Sequence, residues 1–561
     1  MSTGTSAEGP ARTRDDGAPS TRGDGVARGS VLMASGSLVS RGLGVVRTSL
    51  IAGLFGTHTA SGDAWQVANT LPTTVYMLLA AGVINAVFVP QLAKAAEQPD
   101  GGKDFVDRLI TLSLLCLGGV TLLAIPLAPW LVTAFASHWP ESTFNLSVQF
   151  AYVVLPAIFF YGLYAVLGQI LSAKNHFGAY GWAPAACNIV WLAGLAAFML
   201  MYPGKGAKVE EWTGPMILIV GGSLTAGVAL QALVLLIPLW RIGWRYRPRF
   251  GFRGVGLRSA SHVAGWTFAG IAITQAAMAV TSNVLTSSNG KGVSRLGYDS
   301  VFFLFMTPHG LISVSLATAL FTAMSTAAAH GNLIGVRAQL RRGLRLIGVA
   351  TIPTTIAGLC VATAGTAIVF PANDLADTRA MADVFLLLIL ALLPYGVMFL
   401  VQRVFYAFED AKTPFYLSAL AAAIFAGVSW GASWVLQPQH LALGVAAAAT
   451  LSDIVAAIVG MRWAADRLGG MQLLDVWETW TRSLFASLGA GLLTLFVIGV
   501  CQVFVPGRLG ALVILICGGA FYGVTYLGAG RWLRIRELDD LLGPVLKRLP
   551  GGMGRSGRHR P

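Results

Sequence analysis

The chain has 561 residues, 55% of them hydrophobic and 11% charged, where soluble domains are roughly 25% charged; a water-soluble globule is excluded. In a soluble protein the formal net charge of +14 would suggest a nucleic-acid partner. In so apolar a chain a surplus of Lys and Arg marks cytoplasmic loops instead, and no nucleic acid is expected.

Residues 1–30 are rich in Gly, Ser, Thr and Arg without an apolar core, which predicts a disordered cytoplasmic tail and no signal peptide. Beyond them, runs of about 20 apolar residues, enough to cross the hydrocarbon layer, recur fourteen times. They fall at 31–55, 65–93, 107–135, 146–172, 180–202, 215–239, 261–287, 299–328, 344–371, 381–408, 414–436, 441–463, 482–505 and 509–530. Barrel strands are shorter and alternate, so the expected class is an all-α integral membrane protein of about 14 transmembrane helices. The 241–260 loop carries Arg241, Arg245, Arg247, Arg249, Arg253 and Arg258 without an acid, and the next loop on that side carries Arg337, Arg341, Arg342 and Arg345. With both termini cytoplasmic, 31 of the 39 basic residues fall on the cytoplasmic side, as short loops require. Residues 531–561 predict a basic cytoplasmic tail opening with a short surface helix. Cys116, Cys187, Cys360, Cys501 and Cys517 lie inside apolar runs without metal-site spacing, so they read as buried small hydrophobes and no metal is expected.

Two echoes recur six spans apart. Asp63 precedes Pro72 as Asp299 precedes Pro308, and Tyr161-Gly162 precede Ala173 as Tyr395-Gly396 precede Ala407. This offset predicts two parallel six-helix lobes, 31–240 and 261–463, around a central cavity, with two additional helices in 464–530.

Charge inside a span normally faces a cavity or a partner. In the first span Arg41 and Arg47 are six residues apart, hence 240° apart around a helix. Arg47 is read as cavity-facing, and Arg41 either shares that cavity or snorkels to the interface. Two guanidinium groups suit a diphosphate, while Gly42 and Gly44 suit helix packing. Asp63, at the outer end of the second span, is either a gate residue pairing with Arg47 or a helix cap. Gln66, Asn69, Thr70, Thr73 and Thr74 suggest a wet wall on that span, with Asn69 a cavity candidate. Asp453, mid-span beside Thr450 and Ser452, is a candidate for Na⁺ or H⁺ coupling, with a structural hydrogen bond as the alternative. His309 is either a cavity residue or a packed histidine. Walker A, zincin and nucleophile-elbow patterns are missing from the sequence. The chain is thus expected to be a transporter without catalytic residues or bound cofactor, driven by an ion or the membrane potential.

Ser40-Arg41-Gly42-Leu43-Gly44 with Arg47, Gly62-Asp63-Ala64 with Leu71-Pro72, and Gly82 through Phe88-Val89-Pro90 are followed in order by Pro184 with Asn188. Phe405-Tyr406-Ala407 and then Asp410, Lys412, Thr413 and Pro414 complete the series. Carrying these motifs, the chain from about residue 31 to 530 resembles the MurJ (MviN) family of lipid II flippases, in the superfamily that includes multidrug and toxic compound exporters. The resemblance implies a bacterial cytoplasmic-membrane protein that moves undecaprenyl-diphosphate-linked peptidoglycan precursor from inner to outer leaflet by alternating access. Its partners would be that polyprenyl-diphosphate lipid, membrane lipids and cell-wall synthesis proteins. It also implies that Ser40, Arg41 and Arg47 contact the substrate and that Asp63 belongs to a gate. Tyr76, Ala81 and Phe303 stand where well-known members carry charge, which leaves another polyprenyl-diphosphate glycan as an alternative substrate. A cation-coupled drug exporter and a non-transporting scaffold are the other readings.

Overall fold

A computed structural model describes residues 21–80, 103–174, 176–250, 261–288, 290–505 and 507–546. Helix α1 (Thr21–Phe55) turns at Gly56, whose φ of 81° favours glycine, into α2 (Ala60–Leu79), capped by Thr59. The third span is α3 (Lys103–Ala124) with α4 (Ala128–Phe135), and the fourth is α5 (Glu141–Val154) with α6 (Ala157–Ala173). Next come α7 (Phe177–Met201), then α8 (Gly214–Leu233) with α9 (Leu236–Arg241). The second half holds α10 (Ser261–Thr286), α11 (Arg295–Ala329), α12 (Leu333–Val369), the pair α13 (Leu375–Ile389) and α14 (Leu392–Ala407), α15 (Lys412–Val435) and α16 (Leu441–Arg467). After these, α17 (Leu474–Phe504) leads to α18 (Gly507–Val513), which passes through a π-helical turn at Ile514–Gly518 into α19 (Gly519–Trp532); α20 (Glu537–Leu546) follows.

Twelve described segments are long and apolar enough to cross a membrane, and the α13–α14 pair, bent by 41°, makes a thirteenth. Of the second predicted span the structure describes α2 to residue 80; its predicted continuation over 81–93, including Ala81, Gly82 and Phe88-Val89-Pro90, lies outside the described residues. Proline explains the broken spans. Pro126 and Pro156 sit in the breaks themselves, while Pro238 and Pro394 are each the third residue of the following segment. There the ring crowds the carbonyl four residues back, at Val234 or Leu390.

The packing repeats. In the first lobe α1 lies along α7, α7 along α8, α2 on α5, and α5–α6 on α8; in the second α10 lies along α15, α15 along α16, α11 on α13–α14, and α13–α14 on α16. The lobes meet along a seam where α1 and α2 face α11, and α2 and α4 face α10. Helix α17 packs on α12, and α19 on α17.

Two boundaries differ from expectation. Helix α1 begins at Thr21, inside the predicted 1–30 tail, because extending a formed helix is far easier than nucleating one. The 531–561 segment opens with α20 as a docked helix: Glu537 pairs with Arg345 at 3.0 Å and Asp540 with Arg342 at 3.2 Å, while Ile535 and Leu538 are buried. Its basic remainder from 547, and the loop arginines Arg253 and Arg258, lie outside the described residues.

Candidate functional site

We call the side carrying Arg241–Arg249 and the start of α12 the basic face, and the other the far face. Hydrogen bonds between the lobes gather at the far face. Ser294 N donates to Thr57 O at 3.0 Å, Thr57 Oγ1 to Asn373 Oδ1 at 3.2 Å, and Ser137 N to Asn283 Oδ1 at 2.7 Å. His58 meets Asp377 at 3.4 Å, although burial outweighs that carboxylate and holds the imidazole below its usual range.

One turn deeper, Asp63 is 1% exposed and accepts from Leu296 N at 3.4 Å, with the Arg295 amide and the Ser294 side chain beside it. A carboxylate of one lobe thus caps the first turn of α11 in the other, where the helix presents unpaired N–H groups and a positive dipole end. This corrects the predicted pairing with Arg47: backbone amides, with no charge signature in sequence, are the partners. The α2 face that bears Asp63 also bears Gln66, whose Nε2 donates to Asp299 Oδ2 at 2.8 Å across the seam. Asp299 also takes Arg295 Nε at 2.8 Å. Asn69, one turn further, is half-buried with no hydrogen-bond partner among the described residues.

The two arginines of α1 part company, as their 240° separation requires. Arg47 points into the first lobe, where its Nη1 donates to Asn188 Oδ1 at 2.8 Å and its guanidinium lies 4.2 Å from the Trp191 ring centroid. Asn188 Nδ2 donates in turn to the carbonyl and hydroxyl oxygens of Ser40, both at 3.1 Å. Arg47 is therefore held by its own lobe. Arg41 crosses the seam, with Nη1 donating to Thr307 O at 3.3 Å; a Cβ at Gly310 would lie only 2.5 Å from that nitrogen. At 1.5 Å per residue, its position 14 residues before Phe55 sets it roughly 20 Å along the helix from the far-face turn.

Gly44 packs against Phe303, whose Cζ would lie 3.1 Å from an added Cβ, whereas nothing lies within 4 Å of one at Gly42. The packing role thus holds for Gly44 and not for Gly42. Tyr76 stacks obliquely on Tyr161 at 5.8 Å, within its own lobe; Ala81 lies outside the described residues.

In the second lobe His309 is 2% exposed, with its ring 4.4 Å from Tyr395 and 5.6 Å from Phe399, and its Nδ1 buried without a partner among the described residues. Asp453 is half-buried, with Tyr298 and Tyr395 near it and no hydrogen-bond partner among the described residues. Thr450 and Ser452 spend their hydroxyls on Leu387 O and Ala449 O, both at 2.7 Å. Arg403 lies half-buried over Phe399 at 4.4 Å. Arg295, the first residue of α11, is 2% exposed.

Among the described residues no three His, Cys, Asp or Glu side chains converge on a metal position.

Solved structures share this architecture. One titled "Lipid II flippase MurJ, inward closed conformation" superposes with a TM-score of 0.69 at 19% identity, over 90% of this chain and 99% of that one. A MATE structure in complex with MaL6 gives 0.59 at 14% identity, over 79% and 96%. The fold is thus that of the two-lobed helical transporters. The family Lipid II flippase MurJ matches residues 51–515, and the chain belongs to that family. Curated relatives include the lipid II flippase MurJ of Burkholderia cenocepacia, 30% identical over 69% of this chain and 74% of its own length. The probable lipid II flippase MurJ of Rhizobium tropici is 26% identical over 76% and 79%.

Proposed function

We propose that this chain moves lipid II, an undecaprenyl-diphosphate-linked peptidoglycan precursor, between leaflets by alternating access. Its basic face is cytoplasmic and receives the headgroup, while the polyprenyl chain stays in lipid. The observation that carries this reading is Arg41. Its guanidinium leaves one lobe and rests on a carbonyl of the other, where an arriving diphosphate offers a stronger, charged acceptor. The far-face bonds hold the seam shut on the opposite side, and the basic loops attract an anionic headgroup.

Arg41→Ala is expected to abolish complementation of a strain depleted of its own MurJ, with precursor accumulating on the cytoplasmic side. Normal growth and export by this variant would sink the diphosphate role. Purified protein in liposomes should flip lipid II faster than another polyprenyl-diphosphate glycan; the reverse order would make Tyr76 and Phe303 signs of a different headgroup.

The coupling group in this reading is Asp453, an intramembrane carboxylate without a structural hydrogen bond to keep. Asp453→Asn should remove the dependence of flipping on a Na⁺ or H⁺ gradient and leave the unfolding midpoint unchanged. Gradient-driven flipping at the wild-type rate would exclude it.

A further inference from the structure

Between α16 and α17 the second lobe carries an apolar slot of about 580 Å³, within the roughly 300–1,000 Å³ of ligand pockets. Ile352 and Ile356 of α12 and Leu390, Leu393 and Pro394 at the α13–α14 break form its floor. Ile458 of α16 and Leu484 of α17 flank it. No residue of α1, α2, α10 or α11 lines it, so it is walled off from the seam. From Ile454 to Arg462 it follows α16 for eight residues, roughly 12 Å, close to the roughly 15 Å depth of one leaflet.

Its basic-face end is different. Arg462 is exposed there without a carboxylate partner among the described residues, since nearby Asp475 is taken by Arg341 at 2.9 Å and by Arg345. Trp477 is 56% exposed at the rim, and Trp480 is fixed in the wall by donating from Nε1 to Leu344 O at 2.9 Å. Exposed tryptophan marks the headgroup level, and a free guanidinium suits phosphate oxygens.

We propose that this slot holds one acyl chain of an anionic phospholipid whose phosphate sits on Arg462. The occupant is a resident membrane lipid, because the slot does not open onto the seam that transport uses. An apolar recess this large forfeits dispersion contacts if left unfilled, and this one is framed by the α13–α14 break and the first of the two additional helices. The lipid therefore wedges the second lobe against α17.

The test is native mass spectrometry of the full chain in detergent, titrated with phosphatidylglycerol or phosphatidylcholine. One phosphatidylglycerol should bind about fivefold tighter than phosphatidylcholine, the effect of one surface cation on an anionic lipid. Arg462→Gln should erase the preference. Ile458→Trp, filling the slot from its lipid-exposed rim, should weaken both lipids. If Ile458→Trp fails to fold, a photoreactive acyl chain on phosphatidylglycerol should still label α16 and α17 in wild type. Unchanged preference in Arg462→Gln, unchanged binding in folded Ile458→Trp, labelling elsewhere, or one-for-one displacement by undecaprenyl diphosphate would each overturn the proposal. None of these outcomes bears on Arg41, so the flippase reading stands or falls separately.

Discussion

At the position after the helix proline, the first lobe carries Thr73 and the second His309, and each meets the tyrosine of a Tyr-Gly pair. Thr73 stands beside Tyr161, and the His309 ring lies 4.4 Å from Tyr395. The backbone repeat is thus kept down to this contact, but the charge beside it is not. Next to Tyr161 stands Arg47, whose Nη1 has the Asn188 acceptor and whose guanidinium has the Trp191 face, although its Nε has no partner among the described residues. Near Tyr395 stands Asp453, and beside it His309 Nδ1 and the Tyr298 hydroxyl are buried; none of the three has a hydrogen-bond partner among the described residues. What separates the lobes is the charged group itself: Arg47 has an acceptor and a ring face, whereas Asp453 has no hydrogen bond among the described residues. The first lobe has turned its buried charge into scaffold; the second has left its own available.

The contrast breaks if Arg47 is not scaffold. Asn188→Leu strands its guanidinium, and loss of a hydrogen bond to a charged group should cost roughly 1.5–3 kcal/mol. Thermal unfolding in detergent reads this, and adding Arg47→Met should restore most of the loss; an unchanged midpoint in Asn188→Leu would free Arg47 for the cavity. A smaller effect is expected at the seam. Asp63→Ala removes the cap on α11, and caps are worth about 0.5–2 kcal/mol. Here that energy belongs to the far-face-closed state, so a disulfide between Ser137→Cys and Asn283→Cys should form several-fold less readily in the variant. Equal cross-linking would mean that Asp63 does not hold the seam.

How far these features can be read from sequence follows from what each depends on. Spans depend on local apolar runs and were legible, as was the divergence of Arg41 and Arg47, which needs only the helical repeat. Six-span echoes pointed to Tyr161 and Tyr395 because each echo is a contact preserved within a lobe. Features of the seam were hidden. Asp63 is satisfied by backbone amides, which every sequence has, and Arg295 looks like a loop cation until the other lobe buries it beside Asp299. Arg403 falls inside the 381–408 run, and its aromatic cover exists only once α11 and α14 come together. Asn188 was legible as a motif residue, but its role appears only when α1 lies along α7.

The weakest difference between the lobes lies in how the fifth span of each begins, and it offers a test with a sign. In the second lobe Asp410 Oδ1 accepts the amides of Lys412 and Thr413, both at 3.0 Å, and Oδ2 the Thr413 hydroxyl at 2.7 Å. At the repeat-equivalent place, His176 makes no side-chain cap on α7. Burial alone would raise the Asp410 carboxyl, but the Thr413 hydroxyl, the two amides and Arg467 outweigh it and hold the group below its usual range. Because the folded state favours the carboxylate, its contribution is complete above the unfolded value near 3.9 and is lost as pH falls through the lower folded value. Asp410→Ala should therefore cost about 0.5–1 kcal/mol at pH 7, with the gap to wild type narrowing below about pH 4. His176→Asp should raise the midpoint slightly at pH 7, since the first lobe has a vacant cap position to fill. A cost at Asp410 that does not change with pH would show that the turn, and not the carboxylate, starts α15.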